Sequence, residues 1–364
     1  MLVHPLRQTE LRVVPQPEAQ PEPRVAVLLN ANARKVSERV VRALSHVVPE
    51  EDLFISHDLH GCRSIARAVV ERRYDIVFTG GGDGTFVGFL NEIFRELDGR
   101  PGSQRQRAPK FGVLRLGTGN GLAALVNASP LRGDGILDDV LRARAGEVSA
   151  FRTVDLLDVN GKRAHFAGLG ADGKLLNDFV WVKENLGKGV LKAMLSGPGG
   201  YVASIALRTA PHFISTDAQM ECEVYNGQSG PAYRLRADGA VMAEHAPGEL
   251  LFRGELALCA AGTIPYYGFA LKMFPFAARR RGMMHLRLAS DVTSLHAIAN
   301  LPRLWNGSWF CEGFRDFHAR EFKVRFARPA PLQIGGDAEG YRDEVTMRVA
   351  DEPIEVVDFA EATN

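Results

Sequence analysis

Two glycine-rich stretches carry the residue types from which a phosphate site is built. The first runs Asp75-Ile76-Val77-Phe78-Thr79-Gly80-Gly81-Gly82-Asp83-Gly84-Thr85, the second Leu116-Gly117-Thr118-Gly119-Asn120-Gly121-Leu122-Ala123. Glycine removes side-chain bulk, so backbone N–H groups can approach an anion, and a helix starting just behind them adds a favourable dipole. In that reading Gly81, Gly82, Gly84 and Gly117 shape the loops, Thr85 and Thr118 offer hydroxyls to phosphate, and Asn120 offers an amide. A tight βα turn explains the glycines but does not call for Asp83 among them. A carboxylate there suits a magnesium ion, held directly or through water, or a bond to a nucleotide.

The flanking residues supply the elements that would position these loops. Ile76-Val77-Phe78 is a short apolar run of the kind buried on both faces of a parallel sheet. After the loop, Phe86, Val87, Phe89, Leu90, Ile93, Phe94 and Leu97 fall on one helical stripe, with Thr85 as a cap at the start and Asp98-Gly99 as a stop. Val25 to Leu29 is another buried-strand run, ending at Asn30-Ala31-Asn32-Ala33, with Ser37 placed to cap the helix that follows. Leu53-Phe54-Ile55 and its helix make a further unit, and Phe111 to Leu116 with Leu122 to Val126 the fourth. Four β-then-α units predict a doubly wound parallel sheet whose ligands sit at the carboxyl ends of the strands, so both glycine loops open onto one edge.

The pattern changes near Thr153. Val154 to Val159, Asn160-Gly161 and Arg163 to Ala167 read as a hairpin with a type I′ turn. Helices are expected over Leu175 to Trp181, Leu191 to Leu207 and Val292 to Leu304. Strands are expected over His212 to Ser215, Met220 to Tyr225 before an Asn226-Gly227 turn, Leu250 to Cys259, Met283 to Leu288, and onward through Phe326. The predicted organisation is a loose leader over 1–23, an α/β nucleotide-binding domain over 24–152, and a β-rich, mostly antiparallel domain over 153–349. Pro353 to Val357 forms a last strand that can return to the first domain, within the segment 350–364.

At 364 residues, two domains is the default expectation. A net charge of +1 gives no global reason to expect nucleic acid. Cys62, Cys222, Cys259 and Cys311 lack metal or disulfide spacing and read as reduced thiols of a cytoplasmic protein. Met1 to Pro23 has no apolar core of signal-peptide length, and Leu256 to Ala278 is broken by Gly262, Pro265, Gly268, Lys272 and Pro275, which disfavours a spanning helix. Ile264 to Phe276, aromatic and followed by Arg279-Arg280-Arg281, reads either as a core strand with a solvated basic turn or as a surface for acyl chains and anionic headgroups.

The paired blocks Gly81-Gly82-Asp83-Gly84-Thr85 and Gly117-Thr118-Gly119-Asn120 with Leu122-Ala123 resemble the catalytic domain of the diacylglycerol kinase and sphingosine kinase family. The first block is shared with NAD kinases; the second is similar to the lipid-kinase form. Ala167-Gly168-Leu169-Gly170-Ala171-Asp172 resembles the Gly-x-Gly-x-Asp segment of that family. The resemblance implies an ATP- and Mg2+-dependent kinase acting on a hydroxyl of a diacylglycerol-like or sphingoid lipid, with its active site between the two domains. It further implies peripheral contact with the inner membrane face and leaves a homodimer open. The first-strand Asn30 would join the nucleotide site, and an Asp-Gly-Glu near the C-terminus would supply the catalytic base and assist nucleotide or metal binding. Its match is Asp337-Ala338-Glu339, so those roles fall on Asp337 and Glu339. By its residues alone, Gly335 to Gly340 is a hairpin turn as readily as a catalytic loop. Three departures stand out: Asn30-Ala31 for Asn-Pro, Ala338 for glycine, and Arg280-Arg281-Gly282 where many bacterial relatives have Asp-Asp-Gly at a structural magnesium. The alternatives are a soluble NAD kinase-like enzyme and a lapsed kinase that binds nucleotide or lipid.

Overall fold

The computed structural model describes residues 22–102, 106–117, 120–148, 150–170, 219–267, 271–292 and 299–360. The expected leader, the helices predicted over 175–181 and 191–207, the strand over 212–215, Asp172 and Thr118 lie outside these residues, as does the middle of the helix expected over 292–304.

The four apolar runs form the strands β1 (Val25–Asn30), β2 (Leu53–Ser56), β3 (Ile76–Gly81) and β4 (Lys110–Arg115). They pair in parallel in the order β2-β1-β3-β4, with Leu29 opposite Gly80 and Gly81 opposite Arg115. The intervening helices are α1 (Glu38–Ser45), α2 (Leu59–Arg72), α3 (Asp83–Asp98), α4 (Gly121–Leu125) and α5 (Gly135–Arg144). This is the doubly wound arrangement, and the strand order reverses between β1 and β3, where such sheets open a crevice at their carboxyl ends. Ser37 caps α1 by accepting from the Val40 amide. Thr85 does not cap α3: the helix starts two residues earlier with Gly82 as its N-cap, and the Thr85 hydroxyl accepts from the Asn30 side chain instead.

Two more strands complete this sheet. β5 (Phe151–Val154) lies at the edge, antiparallel to β18 (Ile354–Val357), and β18 in turn runs parallel to β4. The hairpin expected from Val154 therefore starts later, because Val154 pairs with Ile354. It consists of β6 (Leu157–Val159) and β7 (Lys162–Ala164), joined by Asn160 at φ 52 and Gly161 at φ 83, the double positive φ of a type I′ turn.

The remaining strands join β6 and β7 in an antiparallel sheet of 12 strands among the described residues. They are β8 (Phe166–Gly170), β9 (Met220–Asn226), β10 (Ala232–Leu235), β11 (Val241–His245), β12 (Leu250–Leu256), β13 (Leu258–Gly262), β14 (Met284–Ala289), β15 (Phe314–Ala319), β16 (Glu321–Ile334) and β17 (Asp337–Val349), beside the short helix α6 (Leu301–Asn306). The run Leu250 to Cys259 is divided at Ala257, whose N–H turns to the Ala289 carbonyl, so its halves pair with different neighbours. Asn226-Gly227 is not a two-residue hairpin turn. Asn226 is buried inside β9 and donates to the carbonyls of Gly230, His245 and Ala246, while β9 pairs with β12 and β16 rather than with the next strand.

A buried ionic cluster marks the middle of the large sheet. Arg287, only 1% exposed, forks onto Asp316 at 2.7 and 2.9 Å under the rings of Phe310 and Phe314. His285 meets the same carboxylate at 3.0 Å through Nε2, and its Nδ1 accepts from the Phe276 amide. Burial alone would raise the Asp316 carboxyl, but Arg287 and His285 outweigh it and hold it well below the ordinary carboxylate range. Such a group contributes stability in full above its unfolded pKa of about 4 and loses it as pH falls towards its folded value. Asp316→Asn is expected to destabilise by about 3–5 kcal/mol at pH 7 by leaving the guanidinium unpaired. In urea titrations the gap to wild type should narrow steadily below about pH 4.

Candidate active site

The two glycine turns are in backbone contact. A Cβ on Gly117 would lie 2.2 Å from the Gly82 Cα and 2.4 Å from its nitrogen, closer than any side chain allows. The strands behind them pack as tightly. A Cβ at Gly80 would fall 2.4 Å from the Leu29 side chain, and one at Gly112 would fall 2.3 Å from the Phe78 ring. Only glycine lets β1, β3 and β4 bring their carboxyl ends together in this way.

Asp83 locks the contact. Its carboxylate, 8% exposed, accepts from the amide of Gly121 at 3.0 and 3.1 Å and from that of Leu122 at 3.4 Å. It thereby caps α4 from the first turn of α3, joining positions 38 residues apart in the chain. The expected magnesium ligand is thus engaged with two backbone amides. Among the described residues no group of three or more His, Cys, Asp and Glu side chains could hold a metal ion. Thr85 presses its side chain against Gly81, where a Cβ would be 2.4 Å from the hydroxyl, and this hydroxyl accepts from Asn30 Nδ2 at 2.9 Å. Asn30 in turn takes the Asn32 amide at 2.9 Å on Oδ1, closing the turn where the family pattern has proline. Asn120 donates to the Gly117 carbonyl at 2.9 Å and so braces the second loop from within.

The late acids arrive from the other sheet. Gly335 at φ 59 and Gly336 at φ 93 make a two-residue turn between β16 and β17, with Ile334 opposite Asp337 and Gln333 opposite Ala338. The turn reading and the site reading of this segment are compatible, because the tip of the hairpin rests on α3. A Cβ at Gly335 would meet the Val87 side chain at 2.6 Å, and one at Gly84 would meet Asp337 Oδ1 at 2.9 Å. The Asp337 carboxylate therefore lies over the amino end of α3, which has no side-chain cap of its own. Ala338 is not among the positive-φ residues, so the methyl group in place of a glycine hydrogen is accommodated without strain. Burial raises the Asp337 carboxyl above its ordinary range and Glu339 adds to this, while Lys162 pulls it down. Its side chain is 51% exposed, and water therefore limits that rise.

Several residues here carry no sequence motif. Lys162, on β7, sits between Asp337 and Glu339. Gln333, fully buried, donates to the Tyr267 hydroxyl and accepts from the Gly336 amide at 3.0 Å, tying the hairpin turn to the aromatic segment. His165 is fully buried 3.5 Å from Asp83 Oδ1, and neither ring nitrogen makes a hydrogen bond among the described residues. The only local clue to any of them is the Asn160-Gly161 turn that aims Lys162.

The aromatic stretch forms no strand among its described residues and is buried in part. Ile264, Met273, Phe274 and Phe276 are buried, and Tyr266 lies against Gly121, whose Cβ would be 3.0 Å from that of the tyrosine. The three arginines after it lie on protein: Arg279 over Phe276, Arg280 over Tyr233, and Arg281 against Asp155 at 2.9 Å. The second Asp155 oxygen accepts from the Gly282 amide at 2.9 Å. A fixed cation, the guanidinium, meets Asp155 where the resemblance had suggested a metal. Gly117→Ala is expected to drive the two turns apart and cost about 1–3 kcal/mol in chemical denaturation. Gly88→Ala, on the open side of α3 with nothing within 4 Å, should instead gain about 0.5–1 kcal/mol.

The sequence model described as "Diacylglycerol kinase catalytic domain" matches residues 24–153. No curated protein matches the chain. Among solved structures, the chain is similar over 94% of its length to a diacylglycerol kinase from Bacillus anthracis str. Sterne, with 12% identity, a TM-score of 0.57 and 98% of that chain covered. A second structure from the same organism, named only provisionally as a diacylglycerol kinase, gives 14% identity and the same TM-score of 0.57, with 94% and 99% covered. At such identities these two establish the fold, a parallel α/β domain joined to a large antiparallel one. The sequence model spans β1 to β4 and all but the last residue of β5, so it is over residues 24–153 that the chain matches the diacylglycerol kinase catalytic-domain family.

Proposed function

We propose that the protein is an ATP-dependent lipid kinase that transfers a phosphoryl group to a hydroxyl of a diacylglycerol-like or sphingoid acceptor. The observation that carries the reading is the convergence of three distant segments. Gly82 touches Gly117, and Asp337 lies over Gly84 beside them. Phosphoryl transfer is mainly a problem of positioning and of placing charge, and this arrangement supplies both. The uncapped amino end of α3 presents free N–H groups and a positive dipole where a terminal phosphate would rest. Thr85 and Asn30 hold the edge of that cradle, and Asn120 holds the second loop.

In this reading Asp337 accepts the proton of the acceptor hydroxyl as its oxygen bonds the terminal phosphorus of ATP and the bond to the bridging oxygen breaks, releasing ADP. Its position at a hairpin tip, half exposed, leaves room for an acceptor on the open side. Magnesium, when bound with the nucleotide, would neutralise phosphate charge. Asp83 is held by the Gly121 and Leu122 amides and Glu339 by Lys162, which leaves Asp337 as the most exposed carboxylate of the three. A lipid acceptor also calls for transient contact with a membrane surface. Among the described residues no helix is long and apolar enough to cross one.

The test is transfer of labelled phosphate from ATP to neutral lipid hydroxyls in mixed micelles, with NAD as a soluble competitor. Transfer to lipid is expected, and transfer to NAD alone would assign the soluble alternative. Asp337→Asn should lower turnover about 10²–10⁴-fold while nucleotide affinity, measured by calorimetry, stays within about threefold. Nucleotide binding without transfer to any acceptor would make the protein a sensor rather than an enzyme.

A further inference from the structure

We infer that Lys162 is a positioning residue for Asp337: its ammonium, held between the Asp337 and Glu339 carboxylates, keeps the Asp337 side chain over Gly84 at the start of α3. The placement is geometric, and only its kinetic consequence rests on the phosphoryl-transfer reading above. Lys162 Nζ lies 3.7 Å from Asp337 Oδ2 and 2.5 Å from Glu339 Oε1. Asp337 and Glu339 are two apart on β17 and share a face, so without a cation between them they repel. Asp337, more exposed than Glu339 and next to the hairpin tip, is the one free to swing outward. The other charged groups nearby face elsewhere: Asp83 turns to Gly121 with His165 beside it, and Arg163 turns to Asp98.

The lysine is itself held at an unusually well-fixed position. The turn before it is pinned by Asp158, which accepts from the Gly161 amide at 2.8 Å. The residue after it is pinned on both sides. Arg163 N–H donates to Asn91 Oδ1 at 2.8 Å, its carbonyl accepts from Asn91 Nδ2 at 2.7 Å, and its guanidinium lies 3.8 Å over the Phe94 ring. Asn91 and Phe94 are on α3, as is Gly84. One rigid helix therefore sets the counter-ion and the loop beneath the carboxylate, two turns apart. A partly exposed ion pair adds little to stability, so a contact anchored this firmly is better explained by aim than by strength.

The experiment compares Lys162→Met and Lys162→Arg in the full chain, using dioleoylglycerol in mixed micelles as the acceptor. Lys162→Met should lower kcat about tenfold or more, with the ATP KM within about twofold and Tm almost unmoved, and Lys162→Arg should restore most of kcat. An unchanged kcat, or a raised ATP KM at constant kcat, would overturn the assignment, the latter pointing to direct phosphate binding. A crystal structure of Lys162→Met is the second readout and needs no turnover. Asp337 rotated away from Gly84 supports the inference and an unmoved Asp337 refutes it, so a wild type that transfers no phosphate would sink the kinase reading alone.

Discussion

The architecture around the crevice depends on one buried carboxylate. Asp83 accepts two backbone amides from a loop 38 residues further along, and in a site shielded from water such charge-assisted bonds are the strong kind. Without it, the amino end of α4 would be uncapped and the contact between Gly82 and Gly117 would rest on van der Waals forces alone. With it, the ends of β3 and β4 become a single surface. Aspartate suits the position because it is short enough to reach back across the turn from the first residue of α3 and carries the charge that amide donors favour.

The second sheet approaches that surface through a few fixed points. Gly335 packs on Val87, its amide donates to the Phe166 carbonyl at 2.9 Å, and Gln333 fastens the turn to Tyr267. Asn91 pairs with both backbone groups of Arg163, as a neighbouring strand would, which extends the hold from the tip along α3. The junction therefore joins apolar packing, in which residues of both sheets share one core, to the directed hydrogen bonds between Asn91 and Arg163. That is what allows a carboxylate from one sheet to sit reproducibly on a helix from the other.

Much of this could be read from the chain before any coordinates. Strands buried on both faces must be apolar throughout, so β1, β3 and β4 stood out as runs of Val, Leu, Ile and Phe. Glycines that permit close approach announce themselves by their number, which is why both turns could be expected to open onto one edge, whereas Gly335 to Gly340 read as a hairpin turn as readily as a catalytic loop. What stayed hidden was set by partners distant in sequence. Thr85 looked like a helix cap until Asn30 claimed its hydroxyl, and Asn226-Gly227 read as a turn without any sign that the Asn226 amide reaches the carbonyls of His245 and Ala246 about twenty residues on. Nothing local predicts that α4 will start within reach of Asp83. Lys162 follows a turn and carries no pattern; its meaning comes only from β17, 175 residues later. Ala338 needed its φ to be known, since the spare hydrogen of glycine matters only in the left-handed region.

The position of β18 has a consequence for how the molecule is made. This strand is inserted between β4 and β5, so the first sheet holds a gap until Ile354 to Val357 have left the ribosome. Until then β4 has an open edge, and Phe359 is missing from beside Phe78. Synthesis in chain order thus cannot deliver a finished first lobe followed by a second. A nascent chain stopped short of Ile354 carries every described strand of the second sheet and leaves the first one open.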